Sequence, residues 1–168
     1  LAQSKVLPSN WQQWWVDALL FDAMIGNTDR HQDNWGLVYD FKSLVFHLAP
    51  LFDNGTSLGH ERFPDRVAHW SDQDVERYLG KGTHHVKWSL SDQPAIQGHF
   101  TLLARALAEW PETRATAMRR LDFSIETLAD SFSDLLGIDA PVRLSDARYA
   151  LMLRLLRHRR ERLIALLK

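Results

Sequence analysis

The chain has 168 residues, 45% of them hydrophobic and 24% charged, with a formal net charge of −1, which is the composition of one globular domain with a sizeable core. That balance makes no overall field for nucleic acid or a membrane surface, and no apolar run approaches the roughly 20 residues that a spanning helix needs. There is no cysteine, so disulfides and thiolate metal sites are excluded; with no basic-then-apolar leader, the expected compartment is cytoplasmic. The first residue is Leu1 rather than Met, and the chain is expected to be a piece of a longer protein.

In chain order, "SNWQQWWVDALLFDAMIG" reads as the first helix. Ser9 is the expected N-cap, with Gln12 completing a capping box. Trp11, Trp14, Trp15, Ala18, Leu19 and Ala23 recur at helical spacing and form one apolar face, and Gly26 stands where a left-handed C-terminal residue is wanted. "WGLVYD" and "LVFHLA", separated by the turn "DFKS", predict a β-hairpin over 35–39 and 44–48. Loop character returns through Pro50, Gly55 and Gly59. Ser71 with Asp74 predicts a short capped helix ending near Gly80. The stretch Gly80–Trp88 reads equally as extended chain or as loop, and its role is left open. Ser91 predicts the cap of a helix from Pro94 to Trp110, halted by Pro111. A short helix follows at 112–121, Ser124 with Thr127 opens another, and Ser145 opens a last helix that runs to the end. From Val142 to Lys168 there are eight Arg or Lys against Asp146 and Glu161, a net +6, so the rest of the chain carries −7. The expected architecture is one domain over 1–168, mainly α with a small β-hairpin.

The chemistry concentrates in "GNTDRHQDNWG" and "LFDNG". Asp29 lies in the loop before the hairpin, Asn34 at its entrance and Asp53 just past its exit. A hairpin returns its second end beside its first, so Asn34 and Asp53 are expected to be neighbours. Two carboxylates and a carboxamide at such a mouth suit Mg²⁺, which takes one or two oxygen ligands from protein and the rest from water and phosphate. Phosphoryl transfer needs this division of labour: metal charge on the phosphates and one carboxylate for the attacking hydroxyl. The spacing agrees. A catalytic Asp followed five residues later by a metal-binding Asn, then by Asp-x-Gly, is the protein-kinase pattern; here Asp29, Asn34 and "DNG" at 53–55 follow it, with "DRH" in place of "HRD".

With "GNTDRHQDNWG" and "LAPLFDNGTSLG" together, the chain resembles the C-terminal lobe of HipA-like serine/threonine kinases, which are distantly similar to phosphatidylinositol 3- and 4-kinases. The specific motifs run from the first helix to about Gly59; the helical remainder agrees in character only. The resemblance implies a kinase C-lobe fold, ATP and Mg²⁺ as cofactors, a Ser or Thr hydroxyl of a protein as acceptor, Asp29 as catalytic base, and Asn34 and Asp53 as Mg²⁺ ligands. Arg30 and His31 match flanking residues of the catalytic loop; Arg30 is expected to brace it, and His31 to lie near the γ-phosphate or Asp53. A phosphate-binding glycine-rich loop and lysine, the property of an N-lobe, are not found in the 25 residues before Gly26, and Lys5 is a poor candidate. The chain by itself is therefore expected to be inactive, with an N-lobe or an antitoxin as partner.

Other readings attach to the same residues. Asp33 reads as a solvated loop residue. Asp22 reads as polar surface or as a brace for Arg30, Asn27 as a cap of the loop, and Asn54 and Thr56 as order in the turn after Asp53. The eight histidines show no zinc spacing, and adjacent His84 and His85 are expected to point different ways. The tryptophans of the first helix read as core or as an exposed seam. The basic last helix reads as a half-buried helix before it reads as a nucleic-acid surface. A lipid or small-molecule kinase and a non-catalytic interaction module are the two rival functions.

Overall fold

The computed structural model describes residues 6–60, 62–89 and 98–168. Helix α1 (Trp11–Ile25) runs through the centre of the domain and packs against α4 (His99–Glu109), α5 (Arg114–Arg120) and the long α7 (Asp146–Leu167). One core joins them: Val16, Leu19, Leu20 and Ala23 of α1 meet Leu102, Leu103 and Leu107 of α4 and Leu156 and Leu163 of α7. A smaller core of Val67, Val75, Leu79, Leu151 and Leu155 seats α2 (Pro64–Val67) and α3 (Asp72–Leu79) on the first half of α7. Helix α6 (Ile125–Ser133) closes the other side. Burying such apolar side chains is the main favourable term in the fold.

The helix starts follow local chemistry. Ser71 and Asp74 form a reciprocal capping box at α3, and the hydroxyls of Ser124 and Ser145 accept from Thr127 N–H and Arg148 N–H at α6 and α7, each taking up one of the orphan donors of a first turn. The first helix departs from expectation. Its N-cap is Asn10 without a side-chain bond; Pro8 and Asn10 carbonyls accept from Trp11 and Trp14 N–H instead, so backbone rather than Ser9 closes that end. At its other end Gly26 is left-handed, at φ 71°. Helix α4 begins at His99 with Gly98 as N-cap; the expected cap Ser91 and start Pro94 lie outside the described residues. The segment 111–120 divides into a 3-10 turn (Pro111–Thr113) and α5, because Pro111 sets the first turn without a donor of its own.

Strands β1 (Leu37–Asp40) and β2 (Val45–Leu48) pair antiparallel, Leu37 opposite Leu48 and Asp40 opposite Val45. They begin two residues and one residue later than expected, since Trp35 caps the preceding 3-10 turn and Leu44, at φ 56°, belongs to the hairpin turn. The Asp40 carboxylate accepts from Lys42 N–H and Ser43 Oγ–H and holds that turn. The hairpin projects outward: Phe41 and Leu44 are 82% and 70% exposed. Of the first helix's tryptophans, Trp15 is core and Trp11 and Trp14 are half-buried. Trp15 is buried and stacks edge-on with Trp14 and Trp35, and Trp11 with Trp110. The cations of α7 are used within the fold. Arg154 pairs with Asp72, Arg157 with Glu126 and Arg162 with Glu76, and Arg160 donates to the Leu121 carbonyl. No described helix is long and apolar enough to cross a membrane.

Candidate active site

The end of α1 builds the site. Its last turn leaves the Asp22 carbonyl to accept from both Gly26 N–H (2.7 Å) and Asn27 N–H (3.0 Å), and the chain then turns back over the helix end. Residues 26–34 and 52–58 run side by side, stitched by Thr28 N–H to Thr56 O and Leu58 N–H to Ile25 O. The hairpin enforces this: Ala49 N–H donates to Gly36 O just outside the strands, so the chain past β2 comes back beside the chain before β1.

Arg30 is the centre of the arrangement. Its side chain and that of Asp22 are both 0% exposed. Nε donates to Asp22 Oδ2 (3.1 Å) and Nη2 to Asp22 Oδ1 (2.9 Å), a bidentate pair. Nη1 donates to the carbonyls of both Asn34 (2.8 Å) and Phe52 (2.7 Å), and Nη2 also to Asn54 Oδ1. All five guanidinium donors are thereby used. One side chain clamps the residue that carries the Asn34 amide and both neighbours of Asp53.

Asp22 is therefore not polar surface, one of its two sequence readings, but a buried brace. Oδ1 also accepts from Asn27 Nδ2 (3.2 Å), and Oδ2 faces His84 Nε2 at 2.9 Å. Burial raises the Asp22 pKa, but the hydrogen bonds and charges of His84 and Arg30 outweigh it and hold the carboxyl below its ordinary 3.8. Asn27 does more than cap the loop. Its Oδ1 accepts from Asp29 N–H (3.0 Å) and Thr56 Oγ1–H (2.9 Å), and its carbonyl accepts from His99 Nε2–H at 2.6 Å. His84, His99 and Asn27 as a structural layer were missed by sequence reasoning. The signal was present only as adjacent polar residues in "THHV" and at the start of a helix.

The residues that the sequence singles out form the layer above. Asn34 is buried to 3%; its Nδ2 donates to the Asp29 carbonyl at 2.7 Å and stands 3.3 Å from His31 Nε2. The amide thus spends its donors on the loop, and its Oδ1 has no hydrogen-bond partner among the described residues. Asp29 and His31 are about one-third exposed, with His31 Nε2 3.9 Å from Asp29 Oδ1. His31 Nδ1 accepts from Asp33 N–H (3.2 Å) and caps the 3-10 turn Gln32–Asn34. Asp33 itself is 75% exposed. Asp53 is exposed and left-handed at φ 53°, a conformation that Asp tolerates better than most residues, and its carboxylate has no ion pair among the described residues. The structure brings Asp29, His31 and Asn34 into mutual contact, ties Arg30 to the Asn34 carbonyl, and brings Asp53 to them through its tethered neighbours.

Two oxygen donors of this kind, one neutral and one charged, fit a hard cation that completes its shell with water and phosphate. No three His, Asp or Glu side chains converge on a metal site among the described residues, so a closed all-protein cage is not what these loops offer. A mostly apolar cavity of about 510 Å³, lined by Phe21, Met24, Leu51, Leu58, Phe123 and Phe132 among others, lies behind the second loop and includes none of Asp29, Asn34 or Asp53.

No protein-family model matches the chain. Over 42 residues, 25% of its length, it is 40% identical to the serine/threonine-protein kinase CtkA of Helicobacter pylori (strain J99 / ATCC 700824), and the match covers 13% of that protein. A crystal structure of a Helicobacter pylori proinflammatory kinase, CtkA, superposes with a TM-score of 0.73 at 16% identity, over 99% of this chain and 55% of that one. The fold is shared with CtkA. This chain spans about half the length of the CtkA chain it matches, and the likeness runs through every element from α1 to α7 rather than through the motif loops alone.

Proposed function

We propose that the chain is the catalytic lobe of an ATP- and Mg²⁺-dependent serine/threonine protein kinase of the HipA type. The observation that carries this is the Arg30 clamp, which sets the Asp29–Asn34 loop against the Asp53 loop, in a fold shared with a protein named a serine/threonine kinase. In this reading Asp29 orients the acceptor hydroxyl and takes its proton as the hydroxyl oxygen bonds to the γ-phosphorus and the bond to ADP breaks. Asn34 Oδ1 and the Asp53 carboxylate would hold Mg²⁺, which supplies positive charge to the phosphate oxygens when bound. His31, beside Asp29 and Asn34, is set to contact the transferred group. The nucleotide also needs a lysine and backbone donors at its phosphates, and this reading assigns them to an N-terminal lobe of the whole protein.

The test is transfer of labelled phosphate from ATP by the whole protein, with Mg²⁺ and a protein extract, beside Asp29→Ala and Asp53→Ala. The kinase reading expects labelled protein from wild type and none from either variant. Label in phosphatidylinositol vesicles but not in protein would move the assignment to a lipid kinase. A silent wild type, or variants that label equally, would leave a binding module.

A further inference from the structure

We propose that His84 is a positioning residue of the phosphoryl-transfer site, acting through Asp22 to hold Arg30 across the two loops. The inference rests on the kinase reading above and extends it to the stretch Gly80–Trp88, whose role the sequence leaves open. His84 belongs to no helix or strand. Its neighbour Thr83 bridges to Gly98, and the His84 ring turns inward to 2% exposure. Nδ1 accepts from Val86 N–H at 3.0 Å, which leaves the ring proton on Nε2, 2.9 Å from Asp22 Oδ2. The side chains of His84, Asp22 and Arg30 are all 0% exposed.

The consequence is geometric. Asp22 receives four donors: Nε and Nη2 of Arg30, Nδ2 of Asn27 and Nε2 of His84. The first three all come from one stretch of chain, the segment that follows α1. His84 comes from 62 residues away and fixes the rotation of the carboxylate about its own axis. That rotation sets the plane of the bidentate guanidinium, and the guanidinium plane sets where the Asn34 and Phe52 carbonyls stand. For stability alone, well-packed apolar residues replace such buried polar groups at little cost; holding two guanidinium donors on Asp22 while aiming the other three at two loops is a task that only the polar set performs. The same anchor lays the segment along the open side of the catalytic loop, with the exposed His85 ring 6.4 Å from that of His31.

Two variants separate the two hydrogen bonds of His84. H84Q keeps a donor at the Nε2 position and loses the acceptor for Val86 N–H; H84N keeps the acceptor and loses the donor to Asp22. In the whole protein, with ATP, Mg²⁺ and casein, H84N is expected to lower kcat on the order of 100-fold, the cost of a misplacement of about 1 Å, with KM for ATP within about threefold. H84Q recovers most of that loss. A second readout follows the Arg30 Nε–H resonance by NMR: it shifts and exchanges faster in H84N and keeps its position in H84Q. Wild-type kcat in folded H84N, or equal losses in the two variants at equal melting temperature, overturns the proposal. If wild type transfers no phosphate, the kinase reading falls, and the Arg30 resonance decides the coupling alone: an unchanged signal in H84N overturns it. If H84N does not fold, D22N takes its place, because its amide turns a donor rather than an acceptor toward His84; D22N with wild-type kcat is again the overturning result.

Discussion

Arg30 Nη1 donates to the Phe52 carbonyl at 2.7 Å, across 22 residues, and with that one bond the loop of Asp29 is tied to the loop of Asp53. The guanidinium is fully buried against Asp22, so its removal strands a buried carboxylate. Arg30→Met is expected to cost about 3–5 kcal/mol, the penalty of breaking a buried pair. Arg30→Lys also loses stability, since an ammonium offers three donors and no bidentate fork. Urea unfolding of both variants measures this.

Asp29 contributes little to the fold. Among the described residues its carboxylate has only the His31 imidazole, Nε2 at 3.9 Å, within ion-pair range. Asp29→Asn is expected to lower kcat by about 10²–10⁴-fold, the usual range for removal of a general base, with an unchanged melting temperature. Single-turnover transfer and a thermal melt on the same sample check both halves.

Asn34 and Asp53 differ in a way that a Mg²⁺ titration reads. Asp53→Asn raises the Mg²⁺ concentration for half-maximal rate and leaves stability alone, because the side chain is exposed. Asn34→Ala raises it too, but also removes the 2.7 Å bond to the Asp29 carbonyl, at about 1 kcal/mol of stability. Equal Mg²⁺ dependence in wild type and Asp53→Asn would sink the ligand assignment.

Two buried groups make the fold acid-sensitive in separate windows. Burial pushes His99 down from 6.5 to about 4. Between those values the unfolded chain binds a proton that the folded one refuses. Stability is therefore complete above 6.5 and falls as pH drops toward 4, by about 3 kcal/mol in all. Asp22 has the opposite charge but the same sign of slope. Its folded pKa is depressed below 3.8, so its contribution is present above that value and lost as pH falls below it. His99→Gln flattens the first window, whereas Asp22→Asn removes the slope below 3.8, lowers stability above it and, because the Asp22 charge raises the His99 pKa, widens the first window. Urea unfolding at a series of pH values separates them.

Gly26 and Gly55 flank the two loops and are predicted to behave oppositely. A Cβ at Gly26 would run into the Arg159 guanidinium and sit at φ 71°, and Arg159 holds the Ala23 carbonyl with Nη1. Gly26→Ala is expected to cost more than about 2 kcal/mol. A Cβ at Gly55 meets nothing within 4 Å, so Gly55→Ala stays within about 0.5 kcal/mol of wild type. Calorimetry on the pair is the measurement.

Much of the layout was legible because it is local. Gly26 ends α1 where a left-handed residue is needed. Ser71, Ser124 and Ser145 cap the helices they precede. The hairpin brings Asn34 back toward Asp53 by the geometry of antiparallel strands alone. The strand starts missed by one or two residues, because Trp35 is extended but unpaired and Leu44 takes a left-handed turn conformation. The Ser9 cap does not form because the helix starts one residue later, with Asn10 at the N-cap and Trp11 N–H held by the Pro8 carbonyl.

What the sequence by itself determined is the order of elements and the spacing of Asp29, Asn34 and Asp53, both set by interactions within a few residues. What only the tertiary structure decided is the layer beneath them. Asp22 reads as a polar residue near a helix end, and nothing in its neighbourhood announces a partner 62 residues on. His84 and His99 carry no spacing to one another that a period would reveal, yet their rings meet at 5.4 Å under the Asp29–Asn34 loop. Buried hydrogen bonds between distant segments leave no periodic trace in a chain, since their geometry exists only once the helices have packed and excluded water around them.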